Sequence, residues 1–215
     1  MFAARCIQHD EYPGTARTTS AGHYTANRAI EALSIYLLVG MSDDQDPESD
    51  EIKEVYARFG LAVYFAQVLE HGIVNALVSI DLIPNRRKHA RTAEEWGAMV
   101  DSFMSRHFEK TMGRMLHELR SVTAVPADLE GLLRDALHRR NRLAHDFFRE
   151  RAEDFLNATG RSAMLTEVDE CRTAFQVADD RLDEVVAPMR RAAGLTDELI
   201  AREFDAMMTA AKSAG

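Results

Sequence analysis

A chain of 215 residues, 46% of them hydrophobic, is long enough for one domain with a sizeable core. Its formal net charge of −9 argues against a general nucleic-acid coat protein, which would be basic. Cys6 and Cys171 stand far apart and in no metal or redox spacing, which suits a reducing cytoplasm. The first residues lack the cationic leader and cleavage context of a signal peptide, so a cytoplasmic location is expected. Alternating Val/Ile/Thr runs with Asn-Gly or Asp-Gly turns are missing, and only five prolines occur. The expected fold is all-α: an antiparallel helical bundle of four to five long helices.

Residues 1–48 read differently from the rest. Pro13, Gly14, Gly22 and Thr18-Thr19-Ser20 interrupt any periodicity, and only a short helix over 27–39 is expected. Met41 then opens an acidic, polar leader. This segment is read as a disordered or spurious extension, with Met41 as the native start. The bundle is expected over 49–193, with a last amphipathic helix over 194–215 packing on it.

Helix one is predicted from Ser49 to Ile83, capped by Ser49 or Asp50 and ended by Pro84-Asn85. It is apolar on most sides from Phe59 onward and long enough to cross a membrane. Gln67, Glu70, His71, Asn75 and Asp81 interrupt it, and a central carboxylate costs about 2.5–3.5 kcal/mol on insertion scales. A buried core or dimer helix is the expectation, with no membrane partner. Gln67, His71 and Asn75 are four apart, with Glu70 beside them, so polar groups form one stripe on this helix.

Pro84–Arg91 is a basic stretch, either a rest for a polyanion or a solvated connection. Thr92 and Glu95 form a capping box that starts helix two, which is expected to carry Trp96, Phe103, Phe108, Met112, Leu116 and Leu119 in one continuous run. His107 and His117 are not in His-Glu-x-x-His spacing, and no metal or cofactor is expected. A third helix is predicted from Pro126 to Asn157, stopped by Gly160. A fourth covers 162–193, with Val168, Cys171, Phe175, Ala178, Leu182 and Val186 inward and Pro188 near its end.

The third helix carries the candidate chemistry. Leu129, Leu132, Leu133, Ala136, Leu137, Leu143, Ala144, Phe147 and Phe148 make a core-facing stripe. At about 100° per residue, Arg140 lands at its centre, among Leu133, Ala136, Ala144 and Phe147. An arginine there cannot shed its charge and needs an anion. Glu70 on helix one is the counter-charge expected for it, either at a working site or as a structural ion pair. His71 is a supporting candidate, or simply a rim histidine. Asn141 and His145 share one flank of the helix. From Arg134 to Arg151 six arginines stand against three carboxylates, a local net +3 in an acidic chain. That excess suits a focused phosphate site, with Arg139 and Arg142 as phosphate binders, or else a salt-bridged face.

The six residues Arg140-Asn141-Arg142-Leu143-Ala144-His145 resemble the motif of the HEPN superfamily (higher eukaryotes and prokaryotes nucleotide-binding domains). That motif is an Arg, four to six residues, then a His, often with Asn after the Arg. Arg17 and His23 fit the bare spacing too, but in a Gly/Thr/Ser-rich stretch without the Asn. The resemblance implies an all-helical fold and a metal-independent endoribonuclease, often a toxin paired with an antitoxin protein, acting as a homodimer. The alternative it leaves open is a non-catalytic binding or interaction module.

The chemistry of RNA cleavage agrees with these residue types. Histidine moves protons near neutral pH. Arginine offers a fixed fork of donors to phosphate oxygens. Asn141 would orient the histidine or bind the phosphate. A single motif holds one such histidine, so an acid–base pair calls for a second copy.

Overall fold

The computed structural model describes residues 47–213, and among them no strand occurs. The expected helix at 27–39, the proposed start at Met41, Cys6, and the Arg17/His23 pair lie outside these residues. The elements are α1 (Pro47–Leu77), α2 (Ile83–Arg86), α3 (Ala93–Phe108), α4 (Met112–Val122), α5 (Ala127–His145), α6 (Phe147–Glu150), α7 (Ala158–Ala192) and α8 (Asp197–Ser213). The all-α expectation holds.

The core forms where α1 meets α7 along most of its length and α5 and α4 close over the same face. Leu69, Ile73, Val74 and Leu77 of α1 are sealed from solvent with Met115, Leu116 and Leu119 of α4 and Leu129, Leu133 and Ala136 of α5. On α7 the row Met164, Val168, Cys171, Phe175, Ala178, Leu182 is buried, as its spacing predicts.

Four boundaries differ from expectation, each for a local reason. Pro84 does not end the first helix. The backbone widens to a π turn over Val78–Leu82, with Ile83 N–H bonding to Val78 O, and Pro84 falls in the first turn of α2. A wider turn gives room to the ring, which would otherwise strike the carbonyl four residues back. Ser49 lies inside the first turn of α1 with its hydroxyl unpartnered, so it is no cap. Helix two is split. Thr92 Oγ1 accepts from Glu95 N as foreseen, but α3 stops at Phe108 and Thr111 caps α4 by accepting from Arg114 N. Gly160 begins α7 rather than ending α5, its N–H capped at 2.8 Å by Asn157 Oδ1. A Cβ there would collide with the Asp154 backbone, so the close approach itself requires glycine. Gly194, at φ 85°, is the residue that stops α7.

Pro47–His89 is, among the described residues, one helical stretch long and apolar enough to cross a membrane by length and composition. Two of its charged groups pair with other helices: Arg58 with Asp169 of α7 and Glu70 with Arg140 of α5.

Candidate functional site

The inward row of α5 runs Leu129, Leu133, Ala136, then Arg140 and Leu143. Arg140 therefore follows Ala136 by one turn and comes up against α1, where Glu70 waits. Arg140 Nε donates to Glu70 Oε1 at 2.9 Å, with 31% of the arginine and 20% of the glutamate side chain exposed. The counter-charge is the one the polar stripe of α1 pointed to. Its depth is not: Arg140 sits at the rim of the core rather than at its centre, and Ala144 beside it is exposed. The truly buried arginine is Arg161, 4% exposed, which donates to Glu51, Glu48 and the carbonyl of Phe155.

At the rim, Arg140 keeps donors to spare. Nη1 makes one long contact, 3.4 Å, to Asn141 Oδ1, and Nη2 makes none among the described residues. Asn141 is exposed, and one turn further His145 is exposed with no hydrogen bond or ion pair among the described residues. His145 is the last residue of α5. The helix expected to run on to Asn157 breaks at Asp146, whose N–H still reaches Arg142 O. The break lets Phe147 and Phe148 both pack on Phe59, with ring centroids 5.5 and 4.8 Å away. Five residues along a helix separate Arg140 and His145 by about 140° and roughly 7.5 Å of rise. One chain thus offers a guanidinium and an imidazole on different sides of α5, not face to face.

Arg139 and Arg142 are not brought to this flank. Arg139 donates to Asp135 at 2.7 Å, and Arg142 donates to Glu167 at 2.7 Å and pairs with Glu150. Both line a groove of about 620 Å³ shared with His138, Arg151, Glu167 and Cys171. Burial raises the Cys171 thiol above its ordinary pKa, against the pull of the Arg139 guanidinium. Arg134, Arg149 and Arg151 also hold carboxylates. The local excess of positive charge is thus spent on ion pairs: the salt-bridged face is what forms, and Arg139 and Arg142, expected as phosphate binders, hold carboxylates.

His71 also parts from the Arg140 group. It packs on Phe108 with ring centroids 4.4 Å apart and the rings tilted, on the side of α1 about 100° from Glu70. There it lines a cleft of about 620 Å³ with Gly72, Asn75, Asp179, Asp183 and Arg190. Burial, aided by Asp180 and Asp183, pushes Asp179 up to about 6. The Asp179 carboxylate lies directly over Gly72, where a Cβ would displace it. Sequence reading missed this acid, although Asp179 adjoins Ala178 on the buried row of α7.

Among the described residues no group of three or more His, Cys, Asp or Glu side chains is placed to hold a metal. Comparison with protein-family models, with curated proteins and with solved structures finds no match for the chain.

Proposed function

We propose that the protein is a metal-independent endoribonuclease acting as a cytoplasmic homodimer, as its resemblance to the HEPN superfamily implies. In this reading its helices form a HEPN-like antiparallel bundle. The observation that carries it is an arginine anchored by Nε to Glu70 and by one long Nη1 contact to Asn141, with Nη2 uncommitted among the described residues, on a helix that ends in an exposed His145 without a hydrogen bond or ion pair among those residues.

The reaction needs two proton carriers. One imidazole removes the proton from the ribose 2′-hydroxyl, the 2′-oxygen attacks phosphorus, and the bond to the 5′-oxygen breaks. The imidazolium of the second copy returns a proton to that oxygen. Arg140 from either copy stabilises the charge building on the phosphate, and Asn141 orients the substrate. The products are a 2′,3′-cyclic phosphate and a 5′-hydroxyl. Leu61 and Tyr64, 42% and 57% exposed on α1, offer apolar surface for the second copy.

The ion-paired arginines of α5 favour a second reading, a non-catalytic helical interaction module, because they leave no broad basic field beside the motif. Induced expression in a bacterial host separates the two. A ribonuclease toxin slows growth, Arg140→Ala or His145→Ala relieves it, and an antitoxin protein encoded alongside would do the same. A His145→Ala protein as inhibitory as the original rules out the catalytic reading.

A further inference from the structure

Cations in this chain are distributed unevenly. Every arginine from Arg120 to Arg191 holds a carboxylate, at the closest between 2.5 and 4.0 Å or tighter. Among the described residues, Arg86, Arg87, Lys88, Arg91 and Arg106 form no ion pair. Arg114 and Lys212 are also unpaired, on separate elements. Of the acids nearby, Asp81 accepts from Asn85 Nδ2 at 2.8 Å and Glu95 accepts from the Arg91 backbone N–H at 2.7 Å, while Glu94, Asp101 and Glu109 likewise form no ion pair among the described residues. The free cations therefore gather at the α2–α3 turn and the adjoining face of α3, in a chain that is otherwise acidic.

Two further features sit among them. The Arg87 guanidinium lies 5.3 Å over the Trp96 ring, a flat, partly exposed platform. A cavity of about 600 Å³ opens between Asp81, Arg86, Ser102, Arg106, His107 and Lys110. Arg106 spends only Nε, on the Ser102 carbonyl. Of the unpaired cations, Arg86 and Arg106 line this cavity, and Arg87 with Trp96 lies outside its lining; cations near an aromatic ring are what single-stranded nucleic acid uses, charge for the backbone and a ring for a base.

On α1, Glu70 holds Arg140, and the next residue, His71, packs on Phe108, two residues before Lys110 of that cavity. Glu70 to Arg86 spans about 24 Å of helical rise, a length that suits a single strand of several nucleotides.

We infer that the α2–α3 turn is a subsite for the phosphodiester backbone of single-stranded RNA, gripping the strand away from the Arg140–His145 group. The inference rests on the ribonuclease reading for its choice of RNA. It reassigns the backbone contacts from Arg139 and Arg142 to Arg86, Arg87, Lys88 and Arg106.

The test uses the full chain carrying His145→Ala, so that bound RNA stays intact, and a fluorescein-labelled oligouridylate of about 12 nucleotides in EDTA. Fluorescence anisotropy is followed between about 50 and 200 mM NaCl. Adding Arg86→Glu, Arg87→Glu and Lys88→Glu should weaken binding at least tenfold at the low-salt end. It should also flatten the slope of log affinity against log salt by about 2, at roughly 0.7 per phosphate contact on a single strand. If circular dichroism shows the triple variant to be misfolded, Arg86→Gln with Arg106→Gln replaces it, with a slope change of about 1.4. Unchanged affinity and slope overturn the subsite. So does binding to phosphatidylglycerol vesicles without binding to the oligonucleotide, which would assign these cations to a lipid surface. Cleavage of the dinucleotide UpA by chains with His145 intact is scored separately, because UpA is too short to reach Arg86. Its absence sinks the ribonuclease reading, whatever the oligonucleotide does.

Discussion

Arg140 and Glu70 are 70 residues apart in sequence and joined by a 2.9 Å hydrogen bond between α5 and α1. Both side chains are partly solvated, so the pair contributes modestly to stability and strongly to where the guanidinium points. A double-mutant cycle on Glu70→Gln and Arg140→Ala, read by urea unfolding, should give a coupling of about 1 kcal/mol. In RNA cleavage Glu70→Gln should cost less than Arg140→Ala, because it loosens the fork without removing it. Equal losses would mean that the glutamate itself takes part in the reaction.

Asp179 sets a pH dependence of opposite sign to that of an ordinary paired acid. Its folded value of about 6 lies above its usual 3.8, because burial and the carboxylates of Asp180 and Asp183 disfavour the anion. The folded state therefore holds the proton more tightly than the unfolded chain. The contribution is complete below about pH 4 and is lost as pH rises through 6. Asp179→Asn should remove this loss and stabilise the protein at pH 7 by about 1 kcal/mol, after discounting for partial exposure. Thermal unfolding at pH 4 and pH 7 measures it. A variant destabilised at pH 7 would mean that the anion is held by a favourable contact.

Gly160→Ala should destabilise the chain by about 2–3 kcal/mol, since the new methyl meets the Asp154 backbone rather than a side chain able to swing away. Gly131→Ala, on an open face of α5 with nothing within 4 Å, should instead stabilise by about 0.5–1 kcal/mol. Urea midpoints for the two variants should move in opposite directions. Movement in the same direction would refute the tight turn at Asp154.

Arg142→Ala should lower stability by about 1 kcal/mol, through loss of its pairs with Glu167 and Glu150. It should leave oligouridylate affinity within twofold, whereas the Arg86/Arg87/Lys88 reversal should not. A tenfold loss of affinity in Arg142→Ala would restore the phosphate role that its ion pairs argue against.

What could be read from the sequence follows from which interactions are local. The rows Leu129–Leu133–Ala136 and Val168–Cys171–Phe175 are periodic, and periodicity survives folding. Glu70 is legible as the partner of Arg140 because a carboxylate in the middle of an apolar helix needs a cation from elsewhere. The end of α5 at His145 was hidden. It is set by Phe147 and Phe148 seeking Phe59, a contact between residues far apart in sequence. The burial of Arg161 was hidden likewise, since Glu48 and Glu51 reach it across more than 100 residues. The arginines of α5 advertised a basic patch because the count near them omitted Glu70 and Glu167, which other helices deliver. The true unpaired cluster was visible as the run Arg86-Arg87-Lys88. Its importance emerged only because the arginines from Arg120 to Arg191 are paired with carboxylates.

The most direct measurement of the central claim is cleavage of a defined RNA by purified protein in excess EDTA, with the ends of the products identified. An HEPN-type ribonuclease mechanism predicts fragments bearing 2′,3′-cyclic phosphate and 5′-hydroxyl ends. It also predicts that rates fall at least 100-fold, about 2.7 kcal/mol, in Arg140→Ala and in His145→Ala while both variants stay folded. Intact RNA with the unmodified chain, or undiminished cleavage by His145→Ala, would contradict it.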